Sequence, residues 1–429
     1  MTANPSRKQA ANLTASAFPA VPRQDGGPAA PARQAVLFIS HTAERNGAPL
    51  ILLRFIRWIK EHTNLEIHIL LRRPGELTSE FESVGSVFHV PRFSRFVSAA
   101  LGALFGKSTV ARIEDLRLRG KVRRLNPALI YSNTITNPRE IMALAPLRIP
   151  TLCHVHEMEW ICREFGLENA IAAAPFIQRF ISVATPVGEH LVRGIGVRPE
   201  SIDTVREFSW SASPVPEKRK ELRDATRSEL GLDKETFVVG GCGTIEWRKG
   251  IDLFLAVAKA VSLRCKTRRF RFIWVGGPTR GVLFEQLQHD AALAGISDMV
   301  TFVGSCPSPE KYYAAMDAFA LTSREDPCPL SMIEAAHFTL PIACFEGSGG
   351  AAEFVSNGAG IAVPYLDVER MANALLTLDS TPELRSRLGA AARERAQLNH
   401  DPDTQCAKLF EAMIRTQPPL AGAARPVCK

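Results

Sequence analysis

The sequence predicts an α/β chain of two doubly wound parallel-sheet domains in series, and three observations carry that reading. With 429 residues and ordinary apolar content, the chain is long enough for two cores and too long for one compact unit. From Ala35 onward, short apolar runs alternate with helix-like segments, the pattern of parallel strands joined by crossover helices. After a polar stretch near 211–234 the same alternation begins again.

Taken in order, residues 1–33 are rich in Ala, Pro, Ser, Gln and Gly with little apolar periodicity, so a disordered arm is expected there, outside the fold. The first domain is expected over 34–206, with strands at AVLFIS, LEIHILL, ALIYSN, TLCHV and RFISVAT, a helix from Pro49 to about Lys60, and a closing strand over 201–205. Residues 207–235 read as a charged linker, either mobile or a surface helix. The second domain, 236–399, opens with TFVVGGCGT and a helix from Ile251. It continues through RFRFIWVGG, a helix from Val282, MVTFVG, AFALTS, LPIACF and GIAVPY. A helix and tail over 400–429 close the chain, and the last helix is a candidate to pack back on the first domain.

Composition excludes several classes. No run of about eighteen apolar residues exists and the N-terminus has no apolar signal core, so neither a membrane span nor a secretory signal is expected, which implies a cytoplasmic chain. Nine scattered cysteines, an odd number, suit buried reduced thiols and not disulfides. The net charge of +8 favours acidic partners such as nucleotide phosphates or an anionic lipid surface. Nucleic acid is not expected as a partner, because no RNA-binding motif, zinc-finger spacing or basic heptad helix is present.

The richest stretch runs from Thr322 to Val355. Asp326 and Glu334 flank Pro327 and Pro329, and a helix-like run over Leu330–Phe338 carries the second acid. Pro329 suits the first helical position, leaving the amides of Leu330 and Ser331 as anion donors, so a diphosphate fits there. Piece by piece, the same residues read more blandly: acids near a helix N-terminus offset its dipole, and Gly347, Gly349 and Gly350 shape a turn. The order of the pieces favours the ligand site.

Upstream, Gly243 ends the first strand of the second domain, and Arg248-Lys249-Gly250 precedes a helix. Two cations beside free amides suit a leaving diphosphate, on which negative charge grows as a glycosidic bond breaks. Gly276 ends the next strand, where backbone can approach a nucleotide closely. In the first domain the period of two puts His154 and His156 on one face of a strand end, with Cys153 opposite, which argues against a metal site. Pro91 to Lys107 is apolar and aromatic with flanking cations, and reads either as a helix packed on the first domain or as a segment resting on a membrane.

The acid, Pro-x-Pro, the helix with Glu334, Leu340-Pro341 entering Ile342-Ala343-Cys344, and Gly-Ser-Gly-Gly ahead of Glu353 together resemble the donor-sugar motif of the retaining family 4 glycosyltransferases. The likeness covers roughly Val36 to Arg395, and it implies a GT-B fold with two Rossmann-like domains facing a cleft. It also implies Lys249 as the phosphate-binding lysine and His156 as the cleft histidine near the reacting sugar. Glu334 would accept from ribose hydroxyls, and Asp326 would reach the sugar, with Glu325 as the alternative for that role. The loop from Ser40 to Pro49, with Gly47 for close approach, would meet donor phosphates or acceptor, and Asn133-Thr134 would serve the acceptor side or packing.

The chain departs from the family at three places. Gly243 and Thr244 stand where an arginine is usual, which leaves Arg248 as the second cation. Pro327 and Pro329 replace common glycines. Thr339 replaces a glycine, costly if that position takes a positive φ.

The resemblance therefore implies transfer of a hexose-type sugar, with retention, from a nucleoside diphosphate sugar to a glycan or lipid-linked acceptor. No cofactor beyond that co-substrate and no metal are expected, and an anionic membrane surface is a further candidate partner. The rivals are a nucleotide-sugar epimerase or phosphorylase on the same fold and a non-catalytic sugar-nucleotide binding protein. A nicotinamide dehydrogenase fits less well, since no G-x-G-x-x-G opens either domain with a suitably spaced acid.

Overall fold

Short strands that are apolar on both faces need helices on both sides, and the chain supplies them twice. The computed structural model describes residues 34–91, 93–209, 213–265 and 269–425. The arm expected over 1–33, the start of the charged linker at 210–212 and the last four residues of the tail lie outside these.

The first sheet comprises β1 (Ala35–Ser40), β2 (Glu66–Leu71), β3 (Ser86–His89), β4 (Leu129–Ser132), β5 (Thr151–Val155), β6 (Arg179–Ser182) and β7 (Ile202–Thr204). Its order is β3-β2-β1-β4-β5-β6-β7, with every pair parallel. All six residues of β1 are buried, and Phe38 lies opposite Ile69 on one side and Tyr131 on the other. The strand β3 has no counterpart in the sequence reading. It is a four-residue edge strand with one fully buried residue, too little apolar signal to register.

The second sheet comprises β8 (Phe237–Cys242), β9 (Phe270–Val275), β10 (Val300–Gly304), β11 (Ala318–Leu321), β12 (Ile342–Phe345) and β13 (Gly360–Val363), in the order β10-β9-β8-β11-β12-β13. In both sheets the strand order reverses beside the first strand, the switch point at which open α/β sheets bind ligands beyond their carboxyl ends.

Two segments join the halves. The charged stretch read as linker is largely a helix, Pro216–Glu229, and it belongs to the second domain. Arg223 donates to the carbonyls of Ala315 at 3.1 Å and Met316 at 2.9 Å and to Asp317 at 2.6 Å, and Arg227 donates to Ala315 O at 3.0 Å. These two arginines thus satisfy the carbonyls ending the helix Glu310–Ala315, while Lys218, Lys220, Glu221 and Asp224 pair at the surface. The C-terminal helix, Pro402–Thr416, places Cys406, Leu409, Phe410 and Met413 in the core of the first domain, where Phe410 meets Trp58 at 6.2 Å. A continuous apolar cluster also crosses from Val155, Phe180 and Val187 to Met332, Ile333 and Phe354, so the two sheets share one core along this side.

Candidate functional site

The acid loop leaves β11 and lies against the turn that follows β8. Thr322 Oγ1 donates to Gly250 O at 2.9 Å, and Arg324 N donates to Arg248 O at 2.8 Å. Gly250 has φ +65°, and a Cβ there would stand 2.0 Å from Thr322 O, so only glycine permits this approach. The result brings Lys249 Nζ to 2.6 Å from Asp326 Oδ2, with a guanidinium nitrogen of Arg248 3.6 Å from Oδ1. Asp326 is only 4% exposed, and so buried a carboxylate needs such partners. Arg248, expected as a second cation for the ligand, is held by protein acceptors, Glu325 O at 3.0 Å and Glu246 at 2.8 Å.

Gly243 and Gly276 support this cluster from behind. A Cβ on Gly243 would sit 3.2 Å from Lys249 Cδ, and one on Gly276, φ +107°, would sit 2.6 Å from Gly243 O. The two glycines therefore let the strand ends stack closely while leaving room for the lysine stem.

The second acid rides on the helix Leu330–His337. Pro329 does not take its first position, as the sequence suggested. With φ −66° and ψ 114° it is the cap residue, extended, and its carbonyl accepts from Met332 N at 3.1 Å. Leu330 and Ser331 become the first helical residues, so their amides have no acceptor within the helix, as at any helix start. Glu334 accepts from Tyr313 Oη at 3.0 Å and from Ser209 Oγ at 3.4 Å. Burial pushes its carboxyl above the usual range, against the pull of Tyr313 and of Arg54 on the helix Gly47–His62.

Glu325 points away from its neighbour Asp326. Its oxygens accept from Trp160 N at 2.9 Å and Ile161 N at 3.4 Å, which caps the first-domain helix Glu159–Glu164. Both oxygens thus serve an interdomain cap. Glu353 acts likewise, accepting from Thr185 N at 3.3 Å and pairing with Arg206. Trp160 and Trp247 meet beside the first cap, with ring centroids 5.1 Å apart.

On the first-domain face, His154 and His156 do share one side, with rings 4.1 Å apart, while Cys153 packs in the core. His154 Nδ1 bonds Tyr131 Oη at 2.7 Å, a structural arrangement in which burial drives its proton affinity well down. His156 lies between Glu207 and Asn133. Glu157, its carboxyl raised by burial, takes the amides of Ile135 and His156 and the hydroxyl of Thr134. His41, in the Ser40–Pro49 loop, has its proton affinity lowered to about 4 by burial and then by the charges of His156, Arg72 and Arg73. Gly47 is exposed with no atom within 4 Å of a built Cβ, so the chain itself imposes no need for glycine there.

The loops of both domains thus meet at their carboxyl ends. Lys249, Asp326, Arg248, Gly243 and Gly276 form one cluster, with the Leu330 helix start and Glu334 beside it. Glu207, Ser209, Tyr313 and Arg54 were missed by the sequence reading. Only Glu207 carried a signal, a carboxylate just past the carboxyl end of a strand.

Two Rossmann-like sheets whose carboxyl ends meet across an interdomain site define the GT-B class. The family described as "Glycosyl transferases group 1" matches residues 223–395. A GDP-mannose-dependent alpha-(1-6)-phosphatidylinositol monomannoside mannosyltransferase of Mycobacterium tuberculosis is 30% identical over 297 residues, 64% of this chain and 71% of its own. A D-inositol 3-phosphate glycosyltransferase of Saccharomonospora viridis is 27% identical over 241 residues, covering 55% of this chain and 54% of its own. Among solved structures, Anabaena HepE in complex with UDP superposes with a TM-score of 0.73 at 20% identity, covering 89% of this chain and all of that one. The chain belongs to the group 1 glycosyl transferases. It spans about half the length of the first relatives it matches, 54% and 44%.

Proposed function

We propose that this protein is a retaining glycosyltransferase that moves a sugar from a nucleoside diphosphate sugar to a glycan or lipid-linked acceptor. The observation that carries the reading is the buried Lys249–Asp326 pair just ahead of the helix start at Leu330 and Ser331. Lys249 and the helix amides hold the diphosphate, and preorganised positive charge there stabilises the leaving group as the glycosidic bond breaks. Glu334 accepts from ribose hydroxyls, and Asp326 orients the lysine and reaches the sugar. Front-face displacement lets the departing phosphate take the acceptor proton, so the reading requires no separate base, cofactor or metal. The inositol phosphate and phosphatidylinositol acceptors in the relatives' names favour a polar, lipid-linked or phosphorylated acceptor.

An anionic membrane surface is the partner we assign to the exposed helices of the first domain. The helix Arg95–Phe105 exposes Phe96 at 89%, Leu104 at 74% and Phe105 at 62%. The next helix, Lys107–Leu125, carries seven basic residues against Glu114 and Asp115, both of which pair with Arg139. Apolar rings beside a cation-rich helix suit peripheral binding to acidic lipid, and such binding would bring the cleft near a lipid-linked acceptor at the cytoplasmic face. No helix among the described residues is long and apolar enough to cross a membrane.

A thermal-shift and turnover panel of UDP-, GDP-, ADP- and dTDP-sugars tests the first proposal, with Lys249→Ala and Glu334→Ala as controls. One donor should shift the melting point of the wild type alone and yield a glycoside when an acceptor is present. A free sugar isomer, a sugar phosphate or binding without turnover would overturn it. Cosedimentation with phosphatidylglycerol and with phosphatidylcholine vesicles tests the second. Binding to the acidic vesicles only, lost in a Phe96→Ser, Phe105→Ser double variant, is expected, and no binding to either refutes it.

A further inference from the structure

His156 is held from both sides. Its Nδ1 lies 2.5 Å from Glu207 Oε1, and its Nε2 lies 3.3 Å from Asn133 Oδ1. The orientation of the Asn133 amide is fixed independently. Its nitrogen donates to Ala48 O at 2.8 Å, and a carbonyl can receive only the NH2 end. The amide oxygen must therefore face the ring. A carboxylate and an amide oxygen both only accept, so each ring nitrogen has to bring a proton. The side chains of His156 and Glu207 are 7% and 6% exposed, and Asn133 is fully buried, so water does not compete for these bonds.

We propose that Glu207 is a positioning residue which, together with Asn133, holds His156 with protons on both ring nitrogens, so that His156 meets the reacting groups as a fixed positive donor and not as a base. The short Nδ1 bond locks the ring. The longer Nε2 contact is the one a donor-sugar or phosphate oxygen takes over, because a charged N–H gains more from a developing negative charge than from a neutral amide.

The surroundings support this assignment. The neighbouring His154 has its own proton affinity driven down by burial and by His156, so it does not share the charge. Glu157 accepts from the His156 amide at 3.1 Å and fixes its backbone. Arg54 adds positive charge near the pair, which Glu207 offsets. Glu207 comes from the crossover after β7, where its carbonyl accepts from His400 Nδ1 at 2.6 Å, so its position is tied to the segment at which the chain crosses back. The His156 partner is thus set by how the two domains join.

The role in turnover rests on the transfer reading, whereas the proton inventory does not, so the test reads both. Full-length protein labelled with 15N-histidine is studied by long-range 1H–15N correlation at neutral pH, and His156→Gln assigns the ring. Two protonated nitrogens are expected in wild type and one in Glu207→Gln. Where transfer is detected, Glu207→Gln should lower kcat roughly 10- to 100-fold, the range by which loss of an orienting partner weakens a site, with donor KM little changed. Glu207→Asp should recover the two-proton pattern and part of kcat. A single protonated nitrogen in wild type overturns the proposal, and that spectrum needs no variant to fold. An unchanged kcat in Glu207→Gln with the two-proton pattern lost would overturn the positioning role alone.

Discussion

Lys249 Nζ donates to Asp326 Oδ2 at 2.6 Å, joining two loops that lie 77 residues apart in sequence. Both side chains are largely shielded, at 14% and 6% exposure, so each charge depends on the other for compensation. Lys249→Ala should therefore act twice. It should lower stability by about 3 kcal/mol by leaving a buried carboxylate with Arg248 as its remaining cation, and it should cut turnover by on the order of 100-fold or more through loss of the phosphate contact. Asp326→Asn in the Lys249→Ala background separates the effects. Urea unfolding should show most of the stability restored, while transfer stays lost, and additive losses in the double variant would refute the pairing argument.

Thr339 is expected to be a weak point of the second domain. It sits at φ +59° just past the helix Leu330–His337, in the left-handed region that is unfavourable for a β-branched residue. Gly389 holds it there, since a Cβ on that residue would come 2.1 Å from Thr339 O. Thr339→Gly relieves about 1–2 kcal/mol of strain against about 0.5–1 kcal/mol of added chain entropy, for a net gain of about 1 kcal/mol. Calorimetry should show a higher Tm with transfer unchanged. Gly389→Ala should do the reverse, destabilising the chain by pushing that contact apart.

These two sites mark what the sequence made legible. The sheets were readable because β1, β5, β8 and β12 are short apolar runs between glycines and prolines, a local signal. The cluster at Lys249 and Asp326 was readable because each motif sits at a strand's carboxyl end, where topology forces them together. The true employment of Glu325 was not, because its partners, the amides of Trp160 and Ile161, belong to a helix start 165 and 164 residues away and carry no residue signature. The packing of the helix Pro216–Glu229 was hidden for a similar reason: its dense charge suits a surface helix or a mobile linker alike until the carbonyls that Arg223 and Arg227 satisfy are in place.

Glu325 should control how firmly the cleft stays closed. Its carboxylate caps a first-domain helix from the second domain, and a cap of this kind contributes about 1 kcal/mol. Burial raises the Glu325 carboxyl, so neutralisation by itself costs little and the hydrogen-bonding oxygens matter more than the charge. Glu325→Gln keeps one of the two acceptor oxygens and should therefore weaken the cap in part, while Glu325→Ala should open the cleft. Small-angle scattering should report a larger radius of gyration for the alanine variant. Tryptophan fluorescence should change as Trp160 and Trp247 separate from 5.1 Å, with Trp160→Phe as the control. Identical scattering for wild type and Glu325→Ala would remove the cap from any role in closure.

His400 should make the join between the domains sensitive to acid. It is 3% exposed, its Nδ1 donates to Glu207 O at 2.6 Å, and burial lowers its proton affinity from 6.5 to about 4. The folded state keeps the ring neutral down to about pH 4, whereas the unfolded chain takes up a proton near 6.5, so between these values the unfolded state binds more protons. The contribution is fully present above pH 6.5 and falls away as pH drops toward 4, reaching about 3 kcal/mol as an upper figure. Carboxyls raised by burial, such as Glu157 and Glu334, titrate in the opposite sense, so the slope of wild type alone does not isolate the histidine. The difference between wild type and His400→Gln does, because every other group is common to both and the amide can still donate to Glu207 O. Urea unfolding at several pH values should show the advantage of wild type over the variant shrinking as pH falls through this window. A difference that stays constant with pH would mean that His400 keeps an ordinary proton affinity in the folded chain.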